Sequence, residues 1–377
     1  MLKDMVAVLA SVSSLRRQLA TPLYRNAIYL VIGNASTGVF GLAFWLVAAR
    51  LHDADTVGSA SAAISAMLLL SMLGTLGLDY AVIRFLPRAA NARAMINTSL
   101  TVSAVAAAAM SLVFVAGLGL WSPVLNFIQR DPLFLGGFVV FTTAHSVFFV
   151  QTKPFVARRR AEFSLGQALC LNVLRLALLV VFAFSFGVFG IASAWGLAVV
   201  LALMLGAVLF QPRLEPGYWP VPTIAGKVVG QLVRYSFTNY VAAMLWTAPG
   251  YVLPLLVANK VGAEFNAYFY IAWSMANALF QIPLAICFSL FAEGSSDERS
   301  LGVNIRRTVR LMILIEAPVL LVLAIFGDSL LGFFDLQYAQ NAAGLLRILA
   351  ISTIPLSVNC IYFVVERVRM RMLRLIG

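Results

Sequence analysis

The sequence predicts an all-α fold, a polytopic bundle of transmembrane helices. Of 377 residues, 62% are hydrophobic and only 11% charged, whereas a soluble domain carries about 25% charged residues. Mean hydropathy is +0.93. Apolar runs of span length recur from end to end, each long enough to cross about 30 Å of hydrocarbon. Lipid offers the backbone no hydrogen-bond partner, so spans must be helices or a closed barrel. The runs are continuous rather than alternating and rich in Leu, Ala, Val and Phe. That pattern excludes a barrel.

Ten spans are expected, at 26–49, 58–82, 95–119, 133–152, 165–186, 188–210, 236–258, 265–291, 308–327 and 342–365. Residues 1–25 precede them. Their apolar stretch Met5–Val12 is short and is followed, not preceded, by Arg16 and Arg17. This argues against a signal peptide and for an amphipathic helix on the membrane surface. Residues 211–235 carry Pro212, Pro216, Pro220 and Pro222 and read as an extended cytoplasmic linker. The expected organisation is therefore an N-lobe of six spans over 26–210, this linker, a C-lobe of four spans over 236–365, and a basic tail over 366–377.

The formal charge of +12 marks topology rather than nucleic acid, since aromatics lie in the spans where they cannot stack on bases. Of the 27 lysines and arginines, 22 fall on one side of the ten-span arrangement, three (Arg50, Arg130, Lys260) on the other, and Arg175 and Arg347 within spans. Cytoplasmic loops collect Lys and Arg, so both ends are cytoplasmic in a plasma (inner) membrane.

Cys170, Cys287 and Cys360 are far apart in apolar runs and suit neither a disulfide framework nor a zinc site. The two histidines, His52 and His145, have no carboxylate or cysteine at ligand spacing. No phosphate-cradling glycine loop or nucleophile motif is present. The expectation is a protein with no metal, no cofactor and no catalytic residues.

The chain also repeats weakly. Shifted by 210 residues, Asn26, Gly33 and Thr37 fall on Ser236, Ala243 and Thr247, and LVAAR (46–50) falls on LVANK (256–260). At 100° per residue both first helices of the lobes present one small, polar face. Such a face turns towards protein or a water-filled cavity. Two pseudo-symmetric lobes follow, the second shortened by two helices, on a common transporter plan.

The segments RNAIYLVIGNASTGVFGLAFWLVAARL and VGSASAAISAMLLLSMLGTLGLDYAVIRFLPRA resemble the start of bacterial oligosaccharide flippases. These are the polysaccharide biosynthesis proteins of the multidrug, oligosaccharidyl-lipid and polysaccharide exporter superfamily. YSFTNYVAAMLWTAPGYVLPLLVANKVGAEFNAYFYIAWSM, SLFAEGS (289–295) and LLRILAISTIPLSVN resemble their second lobe. The resemblance implies transport of a polyprenyl-pyrophosphate-linked glycan from inner to outer leaflet, with membrane lipids and glycan-assembly enzymes as partners. The family usually has twelve or more spans. A cation-coupled multidrug exporter of the same superfamily is the alternative. A membrane glycosyltransferase, faintly suggested by HDAD at 52–55, is disfavoured by the short external loops.

Arg175 is the sharpest single feature. A guanidinium at mid-span costs at least about 2.5 kcal/mol in lipid, so it belongs in a cavity or beside an acid, and its planar fork suits pyrophosphate. Asn172 shares its side of the helix. Asn34 and Thr37 in the first span, with Asn239 and Thr247 in the seventh, complete the candidate substrate contacts. Glu316 is a candidate coupling carboxylate, or a partner of Arg175 or Arg347. Asp79 is a candidate gate, or an interfacial carboxylate among arginines. Pro249, with Pro254, Pro283, Pro318 and Pro355, offers hinges or static kinks.

Single cysteines placed at Lys3, Arg158 and Met370 should react only from the cytoplasm, and those at Asp55 and Asp131 only from outside. Labelling of position 158 from outside would overturn this topology.

Overall fold

A computed structural model describes residues 22–182, 186–296 and 301–368; for 22–24, 27, 227–239, 242, 288–289, 291–296 and 367 it describes the backbone alone. The expected surface helix over 1–25 and most of the basic tail lie outside these residues. The described chain is helical throughout, with no strand among the described residues. Its principal helices are α1 (Pro22–Leu51), α2 (Ala54–Gly74), α3 (Leu78–Phe85), α4 (Ala92–Ala116), α5 (Pro132–Gln151), α6 (Ala161–Phe182), α7 (Gly187–Leu205), α8 (Gly226–Lys260), α9 (Ala263–Ser296), α10 (Leu301–Gly332), α11 (Leu336–Ile351) and α12 (Thr353–Val368).

Nine described segments are long and apolar enough to cross a membrane, and they coincide with nine of the ten expected spans. The tenth, 236–258, lies inside the continuous helix α8. Three details differ from expectation. The extended stretch expected over 211–235 is confined to 215–225, because Gln211–Leu214 is helical and α8 begins at Gly226. Span two stops at Gly74, and Leu78–Phe85 forms a separate helix behind a turn in which Leu76 and Gly77 both take positive φ (50° and 72°). The last span is broken at Ser352. Pro355 explains the break, since it has no N–H to donate to the carbonyl four residues back. Pro249, Pro254, Pro283 and Pro318 instead lie within unbroken helices.

The chain forms two compact units, residues Met1–Asn266 and Ala267–Gly377. The helix that the sequence assigns to the start of the second lobe, α8, packs against α2 and α3 within the first unit. Its Tyr240 hydroxyl donates to the Leu73 carbonyl at 2.9 Å.

In the first unit α2 is the hub. Every residue from Val57 to Met67, VGSASAAISAM, is buried, because α4, α5, α7 and α8 all pack on this helix. Its small residues permit that crowding. A Cβ added at Gly74 would lie 2.6 Å from the Ala107 Cβ and 2.8 Å from its Cα, so α2 and α4 meet nearly backbone to backbone. Several polar side chains in this interior are paired between helices, as a lipid-embedded position favours. Ser71 donates to the Thr142 carbonyl at 2.9 Å, and the Ser103 and Ser146 hydroxyls lie 2.7 Å apart.

Asn266 donates to the Gly58 carbonyl at 2.8 Å and to the Ser61 hydroxyl at 3.0 Å. Where α7 ends, a π-turn at Gly206–Phe210 widens the helix. Buried glutamines reach the carbonyls before it, Gln167 to Ala202 at 3.0 Å and Gln151 to Leu203 at 3.1 Å.

The proline-rich stretch after α7 is extended and laid along the start of α4. Arg93 donates to the Pro216 carbonyl, and Asn97 to that of Trp219 at 3.2 Å. The Thr223 and Ala225 amides donate to Thr101 and Thr98 at 3.1 and 3.2 Å. Glu215 pairs with Arg158 at 2.6 Å, and Tyr218 is buried beside Leu86 and Met95.

The second unit contains most of α9 with α10, α11 and α12. Cys287, Leu290, Leu301, Met312, Cys360 and Val364 form its apolar cluster. Cys287 and Cys360, distant in sequence, share this cluster as free thiols. Arg347 pairs with Asp328 at 2.6 Å.

The Gly74 contact leaves no room for a side chain. Gly74→Ala should destabilise the detergent-purified protein by about 1–3 kcal/mol, the cost of overpacking, seen as a lowered Tm. Gly38→Ala, which meets open space, should not lower it. Equal melting of both variants would contradict the described crossing.

Candidate functional site

Arg175 sits in the middle of α6, and only 6% of it is exposed. Two aromatic systems hold it. Its guanidinium carbon lies 3.7 Å from the centre of a Trp195 ring on α7, a stacked cation–π contact. Trp195 is fixed in turn by Phe44 at 5.2 Å, edge to face, and by Trp45 at 6.2 Å. On the α5 side, a guanidinium nitrogen is 3.5 Å from Nε2 of His145. A guanidinium only donates, so Nε2 accepts and the ring proton sits on Nδ1. That nitrogen is buried and has no hydrogen-bond partner among the described residues. Phe149 packs edge-on to the imidazole at 4.8 Å.

Arg175, His145 and Trp195 form the deep end of a cavity of about 390 Å³ within the first unit. Its walls come from α1 (Tyr29, Gly33, Asn34, Thr37), α5 (His145, Phe148, Phe149), α6 (Ser164, Leu165, Arg175), α7 (Trp195) and α8 (Tyr251). Thr152 and Lys153 line it beyond the end of α5. No carboxylate stands among the described lining residues. The site therefore offers a guanidinium, an ammonium, hydroxyls and amides in mainly apolar surroundings, which is the chemistry of anion binding.

Of the residues expected from sequence, Arg175, Asn34 and Thr37 line this one cavity. Asn172 stands behind the wall, 1% exposed, and donates to the Thr37 hydroxyl at 3.2 Å. Thr37 also donates to the Gly33 carbonyl at 2.9 Å. Thr247 is absent from the described lining, where its helix contributes Tyr251, one turn later. The Asn239 side chain lies outside the described residues. Pro249 is on an exposed face of α8.

Asp79, at the start of α3, lies within electrostatic reach of Lys153. Glu316 is in the second unit, where Arg347 pairs with Asp328. The two carboxylate oxygens of Glu316 lie 3.0 and 2.9 Å from the Ser357 hydroxyl, which also reaches the Thr353 carbonyl at 2.9 Å. The single hydroxyl proton of Ser357 can serve only one of these three acceptors at a time.

Asp53 in the HDAD segment is the N-cap of α2. Its carboxylate accepts from the Thr56 amide at 2.8 Å, and hydrogen bonds from Thr56 hold its pKa below the ordinary value. A helix cap accounts for this acid. No cluster of three or more metal-ligating side chains occurs among the described residues.

The sequence reading did not single out His145, Trp195, Tyr29, Tyr251 or Lys153 as site residues. A histidine or aromatic in an apolar run looks the same whether it faces lipid or cavity, and Lys153 was absorbed into the count of topology-setting cations.

The chain matches no family model and no curated protein. Solved structures match over most of their length. The inward-facing conformation of a multidrug resistance MATE family transporter of the MOP superfamily aligns over 91% of this chain and 85% of that one, at TM-score 0.63 and 13% identity. The outward-facing conformation of such a transporter aligns over 91% and 82%, at 0.59 and 14%. A MOP superfamily transporter from Pyrococcus furiosus, described as having a binding pocket of reverse polarity that suggests a different function, aligns over 93% and 83%, at 0.54 and 12%. The chain thus has the fold of these transporters.

If the indole face holds Arg175 ready for an anion, Trp195→Leu should weaken inorganic pyrophosphate binding about two- to thirtyfold, the equivalent of about 0.5–2 kcal/mol. Trp195→Phe keeps an aromatic face and should retain most of the affinity. Titration calorimetry on the purified protein reads both.

Proposed function

We propose that this chain is a membrane transporter for an anionic glycolipid, moving a polyprenyl-pyrophosphate-linked oligosaccharide from the inner to the outer leaflet for polysaccharide biosynthesis. The observation that carries the reading is the cavity around Arg175. A buried guanidinium, a histidine and an ammonium line it with no described carboxylate among them. A diphosphate is well matched to a planar donor fork in a cavity that carries a further cation along its wall. The apolar walls and the lipid surroundings suit a substrate whose other end is a polyprenyl chain. The resemblance of the sequence to oligosaccharide flippases supports the same substrate class.

The likeness in fold to multidrug transporters supports a second reading, a cation-coupled drug exporter. Cationic drugs need a carboxylate or a purely apolar site, so the polarity of this cavity favours the anionic substrate. In either reading Glu316, hydrogen-bonded to Ser357 in an apolar cluster, is the candidate for binding a coupling proton. Asp79 and Pro249 are the candidates for gating. The reading also places the protein in the plasma membrane, among the enzymes that assemble the glycan.

Deleting the gene in its host should trap the lipid-linked saccharide in the inner leaflet and deplete the surface glycan. Complementation with Arg175→Ala should fail while membrane expression persists, and Arg175→Lys should restore export in part. Unchanged glycans with altered drug sensitivity would replace this reading with the exporter.

A further inference from the structure

The cavity has a second cation that the deep site does not use. Lys153 follows α5 and opens a short helix, Lys153–Ala157. It lies eight residues beyond His145, about 12 Å along a helix axis. Arg175, beside His145, and Lys153 therefore stand at different depths of the cavity. Lys153 also has a competitor. The short helix packs against α3, whose second residue is Asp79, and the Asp79 carboxylate feels the Lys153 charge. Its Oδ1 is buried with no hydrogen-bond partner among the described residues.

The backbone holds this carboxylate in place. Leu76 and Gly77 adopt φ of 50° and 72°, a conformation that costs a leucine energy and persists only when the surroundings impose it. Leu78, Ala81 and Val82 then pack against Val150, fixing α3 beside the end of α5. Strain of this kind concentrates where a side chain must be aimed. Of the neighbouring cations, Arg158 is paired to Glu215 and Arg160 to Glu162.

We propose that the cavity binds diphosphate at two stations, Arg175 at the deep end and Lys153 at the basic end. Asp79 is the exchangeable counter-ion of Lys153, which an arriving diphosphate must displace. The inference rests on the anionic-substrate reading and deepens it. Asp79 weakens the first station, so that the substrate is not trapped there and passes on to Arg175.

The test is calorimetry on the full chain in nanodiscs with inorganic pyrophosphate, and in parallel with geranylgeranyl pyrophosphate. Asp79→Asn should tighten binding about two- to fivefold, the scale of a partly exposed ion pair. Lys153→Gln should weaken it by a similar factor. In the Lys153→Gln background Asp79→Asn should change nothing, since the cycle removes the shared interaction. A tightening that persists without Lys153, or no effect of either change on binding that still depends on Arg175, overturns the two-station proposal alone. Binding that is absent, or unaltered by Arg175→Gln, overturns the anionic-substrate reading and this proposal with it. Tighter binding of the prenylated ligand assigns the diphosphate to a lipid headgroup, and equal binding assigns it to a soluble diphosphate. Both are compatible with the two stations, and the melting temperature of each variant distinguishes lost binding from lost fold.

Discussion

Hydrocarbon cannot hydrogen-bond, and that constraint shapes everything in this chain. It forces the backbone into helices, which satisfy their own carbonyls and amides. It then acts on the side chains. A polar group in a span must find a partner on another helix, so the serines, asparagines and glutamines of the interior become the ties between helices. Ser71 to Thr142, Asn172 to Thr37 and Gln167 to Ala202 are all of this kind. The same constraint makes Arg175 costly anywhere but in a polar cavity, so the most expensive residue and the candidate binding site coincide.

The architecture of the first unit follows from a second restriction, that of space. A helix surrounded by four others cannot carry large side chains on every face. The run VGSASAAISAM gives α2 the slim profile its position demands, and Gly74 gives α4 its closest approach. With α2 so crowded, the opening lies to one side of it, among α1, α5, α6, α7 and α8, with Leu68 of α2 on its wall. Aromatic rings and a guanidinium fill that region in layers, Phe44 against Trp195 and Trp195 against Arg175.

Much of this was legible in the sequence because lipid simplifies the code. Apolar length alone located the spans, and the rarity of charge within them singled out Arg175 and Glu316. The polar stripe of the first span located Gly33 and Thr37 on a cavity wall. Periodicity says which face of a helix is polar, however, and not which helix stands opposite. For that reason the meeting of His145 with Arg175, the stacking of Trp195, and the packing of α8 on α2 and α3 were not readable. Glu316 found a serine, Ser357, because a hydroxyl one helix away is as good a hydrogen-bond partner as a cation and costs less to bury. The break at Ser352 had its signal in Pro355, and the turn at Leu76 had none, since a leucine there argues against the conformation it adopts.

The stretch between α7 and α8 has a mechanical consequence. Its four prolines and its lack of regular structure suggest a slack tether, yet its carbonyls and amides are fastened at successive points to α4. A chain held that way behaves as a strut. Displacement of the first turn of α8 is delivered directly to the beginning of α4, with little slack to absorb it. The end of α7 is braced as well, since the Gly206 amide and the Gln167 and Gln151 side chains converge on the carbonyls of Ala202 and Leu203.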